Sequence, residues 1–244
     1  MRSIEITNLE FSYNSAPFLK HINLTVDRGE MIGLIGPNGC GKTTLISLLR
    51  GFLKPAEGKI MILGKDVEMI PRIEMGRLVS YVPQESRTSF NFTAYEIVSM
   101  GRYAHQNTPA SPVMTEDQII MGALELTDSK RFAHQYFWNL SGGEKQRIIL
   151  ARAIAQQAEI ILLDEPTASL DIKQATNIYK VINKLNETAG LAIVAATHDV
   201  HLAGRFCSRL VMMKEGTIVG DGLPEPLFEQ VSLEELYDIK MGER

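Results

Sequence analysis

Cysteine is scarce in this chain of 244 residues: Cys40 and Cys207 are the whole complement. They lie far apart with no metal-like spacing, and two thiols make no disulfide framework, so the expected compartment is a reducing one. Long apolar runs are missing too. No stretch approaches the roughly 18–20 residues that a membrane span needs. The opening Met1-Arg2-Ser3-Ile4-Glu5-Ile6 alternates like a strand and has no signal-peptide core. Nor is there a basic surplus. With 25 Lys and Arg against 29 Asp and Glu the net charge is −4, which argues against a nucleic-acid binder. Any phosphate binding must then be local, made by a few cations and backbone N–H groups. Internal repeats and low-complexity linkers are absent as well. What remains is ordinary for a globular protein, 45% hydrophobic and 22% charged, and long enough for one large domain or a domain with an insert.

Residues 3–35 carry short alternating runs punctuated by Asn14-Ser15 and Arg28-Gly29, which suggests antiparallel strands. Met31 to Ile35 is apolar and ends in glycine, and a helical stretch from about Lys42 to Arg50 follows, giving a strand–loop–helix unit. Residues 56–67 read as another strand pair. Four further runs, 78–82, 160–163, 191–196 and 210–213, read as strands, and 160–163 is apolar throughout, as in a central parallel strand. Helices between them complete an α/β pattern. From about 86 to 158 strand signals vanish and helix starts appear, among them a capping box at Thr115-Glu116-Asp117-Gln118. This segment is expected to be a helical subdomain inserted in one domain spanning 1–244.

Gly36-Pro37-Asn38-Gly39-Cys40-Gly41-Lys42-Thr43 satisfies the phosphate-loop pattern between a strand and a helix. Its glycines permit tight curvature, so that successive N–H groups converge on phosphate oxygens. The helix start adds its dipole, Lys42 a cation for the β- and γ-phosphates, and the Thr43 hydroxyl a ligand for Mg²⁺. An ordinary glycine turn is the plain alternative, but the full pattern arises by chance in only about one chain in a hundred of this length.

Asp164 and Glu165 end the apolar strand, and open α/β sheets bind ligands at the carboxyl ends of their strands. There Asp164 would hold a metal and Glu165 would orient and activate a water. Without the phosphate loop, a helix-capping acid would be the better reading. Gln84 and His198 each follow a strand. Alone, either reads as a surface or core residue; four strands delivering Lys/Thr, Gln, Asp/Glu and His to one edge are harder to dismiss. His201, three residues beyond His198, has no further metal ligands near it in sequence, and the metal-pair reading is rejected. Leu140-Ser141-Gly142-Gly143-Glu144, before a good helical sequence, reads either as a structural cap alone or as a second anion site. Ser141 caps, Glu144 returns the capping box, and the glycines open the backbone to a bulky anion. Being remote from the first, it suggests a site completed by another subunit.

Taken together, these motifs resemble the ATP-binding cassette (ABC) transporter ATPases over nearly the whole chain. Residues 36–43 match the Walker A loop, Gln84 the Q-loop, 140–144 the signature, 160–165 the Walker B strand with its glutamate, Ser169-Leu170-Asp171 the D-loop and His198 the switch histidine. Tyr13 stands where the family places an aromatic against adenine. Glu144 replaces the more usual glutamine, a departure that other members share. The resemblance implies a P-loop cassette with a mixed central sheet, an N-terminal antiparallel β portion and an inserted helical subdomain. It implies ATP held by Tyr13, the loop from Gly36 through Thr43 and Thr44, and Ser141, Gly142, Gly143, Glu144 and Asp171. Mg²⁺ would lie at Thr43, Gln84 and Asp164, and Glu165, His198, Gln84 and Lys42 would carry catalysis.

Two such cassettes form a head-to-tail homodimer with ATP at the interface, on the cytoplasmic face of the membrane through an integral permease. Val98-Ser99-Met100-Gly101-Arg102-Tyr103-Ala104-His105, Thr197 through Ala203 and Gly222-Leu223-Pro224-Glu225 are similar to ATPases serving iron-siderophore, haem and cobalamin import. That implies an extracytoplasmic substrate-binding protein as an indirect partner. The chain is also expected to lack the extra C-terminal domain of sugar importers and any fused membrane domain. An exporter ATPase, or a soluble ABC ATPase of an assembly or regulatory complex, is the alternative.

Overall fold

The computed structural model describes residues 1–14, 16–84, 90–106, 114–168 and 170–237; Ser15, Ser169 and the first positions of the expected 86–158 subdomain lie outside them. Two units cluster separately, Met1–Ile70 with the residues from 185 onward, and Pro71–Lys184. Alternating apolar and polar residues build the first unit's N-terminal sheet. β1 (Arg2–Phe11) pairs antiparallel with β2 (Leu19–Asp27), setting buried Ile4 opposite Val26, Ile6 opposite Leu24 and Leu9 opposite Ile22. The register slips between Leu9 and Phe11, where His21 of the facing strand takes a φ of 49°, and between Ile6 and Leu9, where Asn8 does the same. Strict alternation would turn Leu9 outward; the extra residue of the bulge returns it to the core. β3 (Met31–Ile35) is buried at all five positions and joins a second sheet. Its uniform apolarity, unlike the alternation before it, suits a strand covered on both faces. α1 (Lys42–Leu49) follows, and β4 (Glu57–Ile62) pairs with β1 and carries the short β5 (Lys65–Asp66).

In the second unit α2 (Arg72–Leu78) runs straight into β6 (Val79–Val82), so Leu78, expected to open the strand, closes the helix instead. β6 lies parallel to β7 (Ile160–Asp164), with Val82 opposite Leu163. α3 (Ala94–Ser99), α4 (Glu116–Leu126) and α5 (Gly142–Ala155) each open with a complete capping box, Thr93 with Glu96, Thr115 with Gln118 and Ser141 with Glu144. Each box satisfies backbone N–H groups that a helix start leaves without partners. α3 and α4 pack on α5, burying Ile97, Val98, Ile120, Leu124, Ile148 and Ile149. α6 (Ile172–Ala189) buries Ala175, Ile178, Tyr179 and Ile182, a single stripe at helical spacing on an otherwise polar helix.

β8 (Ala192–Ala196), α7 (Val200–Phe206), β9 (Arg209–Lys214), β10 (Thr217–Gly222), α8 (Pro224–Gln230) and α9 (Leu233–Tyr237) complete the first unit. β3 lies between β8 and β9 and parallel to both, with Leu34 opposite Ala196 on one side and Val211 on the other. Gly33 allows this packing, since a Cβ there would come 2.7 Å from the Leu210 side chain. β10 returns antiparallel along β9 and makes the sheet mixed. Its two-residue turn, Glu215-Gly216, has positive φ at both positions, the geometry of a tight hairpin. No helix among the described residues is long and apolar enough to cross a membrane.

Candidate functional site

The loop after β3 is a built anion cradle. Gly36, Gly39 and Gly41 take φ of 151°, 81° and 113°. At Gly36 a Cβ would fall 2.1 Å from the Met213 carbonyl oxygen, so that position must be glycine on steric grounds as well, while at Gly41 it would fall 2.4 Å from the Leu19 side chain. Lys42 is buried and arches back over the loop, its Nζ donating to the Gly36 carbonyl at 2.7 Å and the Pro37 carbonyl at 3.1 Å. Cys40 is buried beside it, and burial pushes that thiol above its ordinary value against the pull of Lys42. α1 has neither a side-chain cap nor an acid in its first turn. Its leading N–H groups and dipole therefore favour an anion. Thr43 is exposed on that turn, while Thr44 is buried and its Oγ1 lies 2.9 Å from the Tyr13 hydroxyl. Tyr13 is 59% exposed and is braced edge-on by Phe11 and Phe18. An exposed aromatic ring is thus moored to the phosphate loop's own helix. His198 is exposed two residues beyond β8, and the pairing of Leu34 with Ala196 brings it to the same sheet edge as the loop. Asp199 then caps α7 by accepting from the Leu202 N–H at 2.9 Å.

In the second unit the parallel register of β6 and β7 sets Gln84 against Glu165, 81 residues apart, and the Gln84 Nε2 donates to the Glu165 Oε2 at 2.9 Å. Glu165 has a φ of 46°, in the left-handed region that non-glycine residues seldom adopt. Asp164 is buried, with the Tyr81 hydroxyl 3.4 Å from its Oδ2. A buried carboxylate followed by a half-buried, hydrogen-bonded one has the chemistry to serve as metal ligand and general base. Asp171 begins α6, its Oδ1 accepting from the Gln174 main-chain N–H at 2.8 Å.

At the start of α5, Glu144 Oε2 accepts from the Ser141 N–H at 2.8 Å and from the Ser141 hydroxyl at 2.7 Å. These bonds from Ser141 hold the Glu144 carboxyl below its usual range. The two signature glycines differ. A Cβ on Gly142 would meet nothing within 4 Å, so its backbone is open to a ligand, whereas one on Gly143 would lie 1.9 Å from Gln174 Oε1.

The ABC transporter family profile matches residues 19–168. The chain belongs to that family. A cobalamin import ATP-binding protein from Halobacterium salinarum is 34% identical over 240 residues, which are 98% of this chain and 60% of that protein. The chain therefore spans about 60% of that relative's length. An iron(3+)-hydroxamate import ATP-binding protein from Bacillus subtilis is 30% identical, covering 98% of this chain and 89% of the relative. A dimeric, post-hydrolysis ATP-binding cassette bound to ADP and Pi superposes with a TM-score of 0.79 at 28% identity, over 91% of this chain and 99% of that one.

Within this ABC cassette the importer-like segment at 98–105 performs a packing role. A Cβ on Gly101 would lie 2.3 Å from the Arg152 carbonyl oxygen. Arg102 is buried and donates to both Glu116 carboxylate oxygens, the Ala155 carbonyl and Gln157 Oε1. His105 Nε2 lies 2.8 Å from the Gln156 carbonyl. The third similar segment, 222–225, places Pro224 in the first turn of α8. Sequence reading missed Tyr81 and Gln174. Tyr81 carries no signal of its own; Gln174 sits three residues after Asp171, the position at which a helix cap meets its partner.

Proposed function

We propose that this chain is the ATP-hydrolysing subunit of an ABC importer that works as a homodimer on the cytoplasmic face of a membrane. The observation that carries the reading is the pair of strand-end carboxylates, Asp164 buried and Glu165 held by Gln84, in a chain that also bears a phosphate loop. Lys42 and the α1 N-terminus bind the β- and γ-phosphates, and Tyr13 receives the base. Glu165 orients the attacking water and takes its proton, and His198 holds the γ-phosphate as it leaves. The exposed Thr43 hydroxyl, the buried Asp164 carboxylate and the Gln84 amide are hard oxygen donors, the chemistry that suits Mg²⁺. These residues would hold Mg²⁺, which would supply positive charge against the phosphates. The Ser141 hydroxyl and the open Gly142 backbone face the nucleotide held by a second copy, and Asp171 joins them. The dimeric relative bound to ADP and Pi supports that arrangement.

The cobalamin and iron(3+)-hydroxamate import named for two relatives supports a metal-chelate cargo, and an importer of that kind would be served by an extracytoplasmic binding protein. A docking face for the permease is offered by α2 and the turn at Met100–His105, which are tied by Arg77 Nε donating to the Ala104 carbonyl at 2.7 Å. These elements expose Ile73, Met100 and Tyr103. The test is a pull-down of tagged Glu165→Gln with ATP from detergent-solubilised native membranes. A polytopic permease should be recovered; soluble proteins alone, from a competent preparation, would remove the importer reading and leave an ABC ATPase working elsewhere.

A further inference from the structure

Gln174 is held at three points. Its main-chain N–H donates to Asp171 Oδ1 at 2.8 Å, and its side-chain Nε2 donates to Asp171 Oδ2 at 2.9 Å, so one residue takes both carboxylate oxygens. The carboxylate only accepts, which fixes the amide with nitrogen toward Asp171 and oxygen the other way. That oxygen rests against the signature: a Cβ on Gly143 would fall 1.9 Å from Oε1 and 2.9 Å from Cδ, with Leu170 Cδ2 next at 3.5 Å. Beyond this contact a cavity of about 260 Å³ opens, lined from α5 by Arg147 and Leu150 and from α6 by Ile178 and Val181. The amide therefore bridges the two helix starts at the edge of a void, where no dense packing backs it.

We propose that Gln174 is a positioning residue that locks the D-loop carboxylate of Asp171 to the signature backbone at Gly143 within one chain, so that the two move as one body. This rests on the reading that Asp171 and residues 141–144 meet nucleotide across the dimer. Gly143 is small, on this account, to admit the Gln174 amide, while Gly142 is small to admit the ligand. Displacing Asp171 drags the amide, and the amide moves the backbone that presents the Ser141 hydroxyl.

The test uses the full chain in a two-by-two set, Gln174→Ala and Gly143→Ala singly and together, with Gln174→Met beside them. Melting temperature reads the wedge. Gly143→Ala should lower it clearly while Gln174 is present and much less once the amide is gone; additive shifts overturn the contact. Steady-state ATP turnover reads the role. Gln174→Ala should lower kcat several-fold at unchanged KM, the signature of an interaction felt after binding. Gln174→Met fills the space without the side-chain bond to Asp171 Oδ2, so it should restore melting temperature and leave kcat low. A kcat restored along with melting temperature would mean that Gln174 only packs, and the proposal fails. Asp171→Ala and Ser141→Ala are measured in parallel. If both keep full turnover, the reading of the D-loop and signature has failed; if both lose turnover while Gln174→Ala keeps it, the lock alone has failed.

Discussion

Glu165 is held against its backbone's preference. A φ of 46° on a non-glycine residue costs on the order of 1–3 kcal/mol and persists where the surroundings over-determine it. Here the bond from Gln84 does part of the holding, and it orients the carboxylate proposed as the general base. Lys42 is constrained in another sense, its ammonium spanning two loop carbonyls. The two residues should separate cleanly in kinetics. Lys42→Ala removes charge-assisted hydrogen bonds worth about 1.5–3 kcal/mol, so the ATP dissociation constant should rise roughly 10- to 150-fold. Glu165→Gln removes the base and should lower kcat by about 10²–10⁴-fold while ATP still binds. Equilibrium binding of a fluorescent ATP analogue, with phosphate release measured on the same preparations, checks both. ATP affinity unchanged by Lys42→Ala, or turnover unchanged by Glu165→Gln, removes the corresponding role. The types of these residues were legible in the sequence because each motif carries its own spacing. The bond between Gln84 and Glu165 was not, since it exists only once β6 and β7 fix a parallel register across 81 positions.

Helix starts govern the second unit. Of its three capping boxes, Thr115 and Ser141 were readable from sequence, and Thr93-Ala94-Tyr95-Glu96 has the same pattern on a helix too short to announce itself by periodicity. The Glu215-Gly216 hairpin went unread because a two-residue turn with glutamate first is a weak signal beside Asn-Gly or Asp-Gly. Bulged strands hide in a similar way: the separate slips at Asn8 and at His21 break the alternation by which strands are found. The α5 start yields a pH prediction. Hydrogen bonds from Ser141 depress the Glu144 carboxyl in the folded chain. A depressed folded pKa means the stabilisation is complete above the unfolded carboxylate value and is lost as pH falls through the folded one. Glu144→Gln can still cap, but it does not titrate. Wild type should therefore lose its advantage over Glu144→Gln as pH falls through and below the ordinary carboxylate range, measured as the difference in melting temperature. A difference independent of pH would show that the ionised carboxylate contributes nothing to the cap.

Taken as a whole, the molecule divides the importer-like segment between two tasks. Gly101, Arg102 and His105 are consumed inside the second unit, where they fasten α4 and the end of α5. Met100 and Tyr103 point outward, with Tyr103 67% exposed, and Ile73 is exposed on the neighbouring helix. A sequence pattern therefore reported mainly on packing, and only its outward residues bear on a partner. Cargo is illegible for the same reason, because no residue of the cassette is expected to touch it. Exposed apolar side chains grouped on adjoining elements mark an interaction surface. Tyr103→Glu places a charge there while leaving the Arg102 network intact. A surface change of this kind usually shifts stability by no more than about 0.5 kcal/mol, so ATP turnover of the isolated chain should stay within about twofold of wild type. Recovery of the permease from solubilised membranes should instead collapse, since a buried unpaired carboxylate at an interface is strongly unfavourable. If Tyr103→Glu captures the permease as well as wild type does, the docking face lies elsewhere on the chain; if turnover of the isolated chain falls as far as capture does, Tyr103 supports the fold and not the partner.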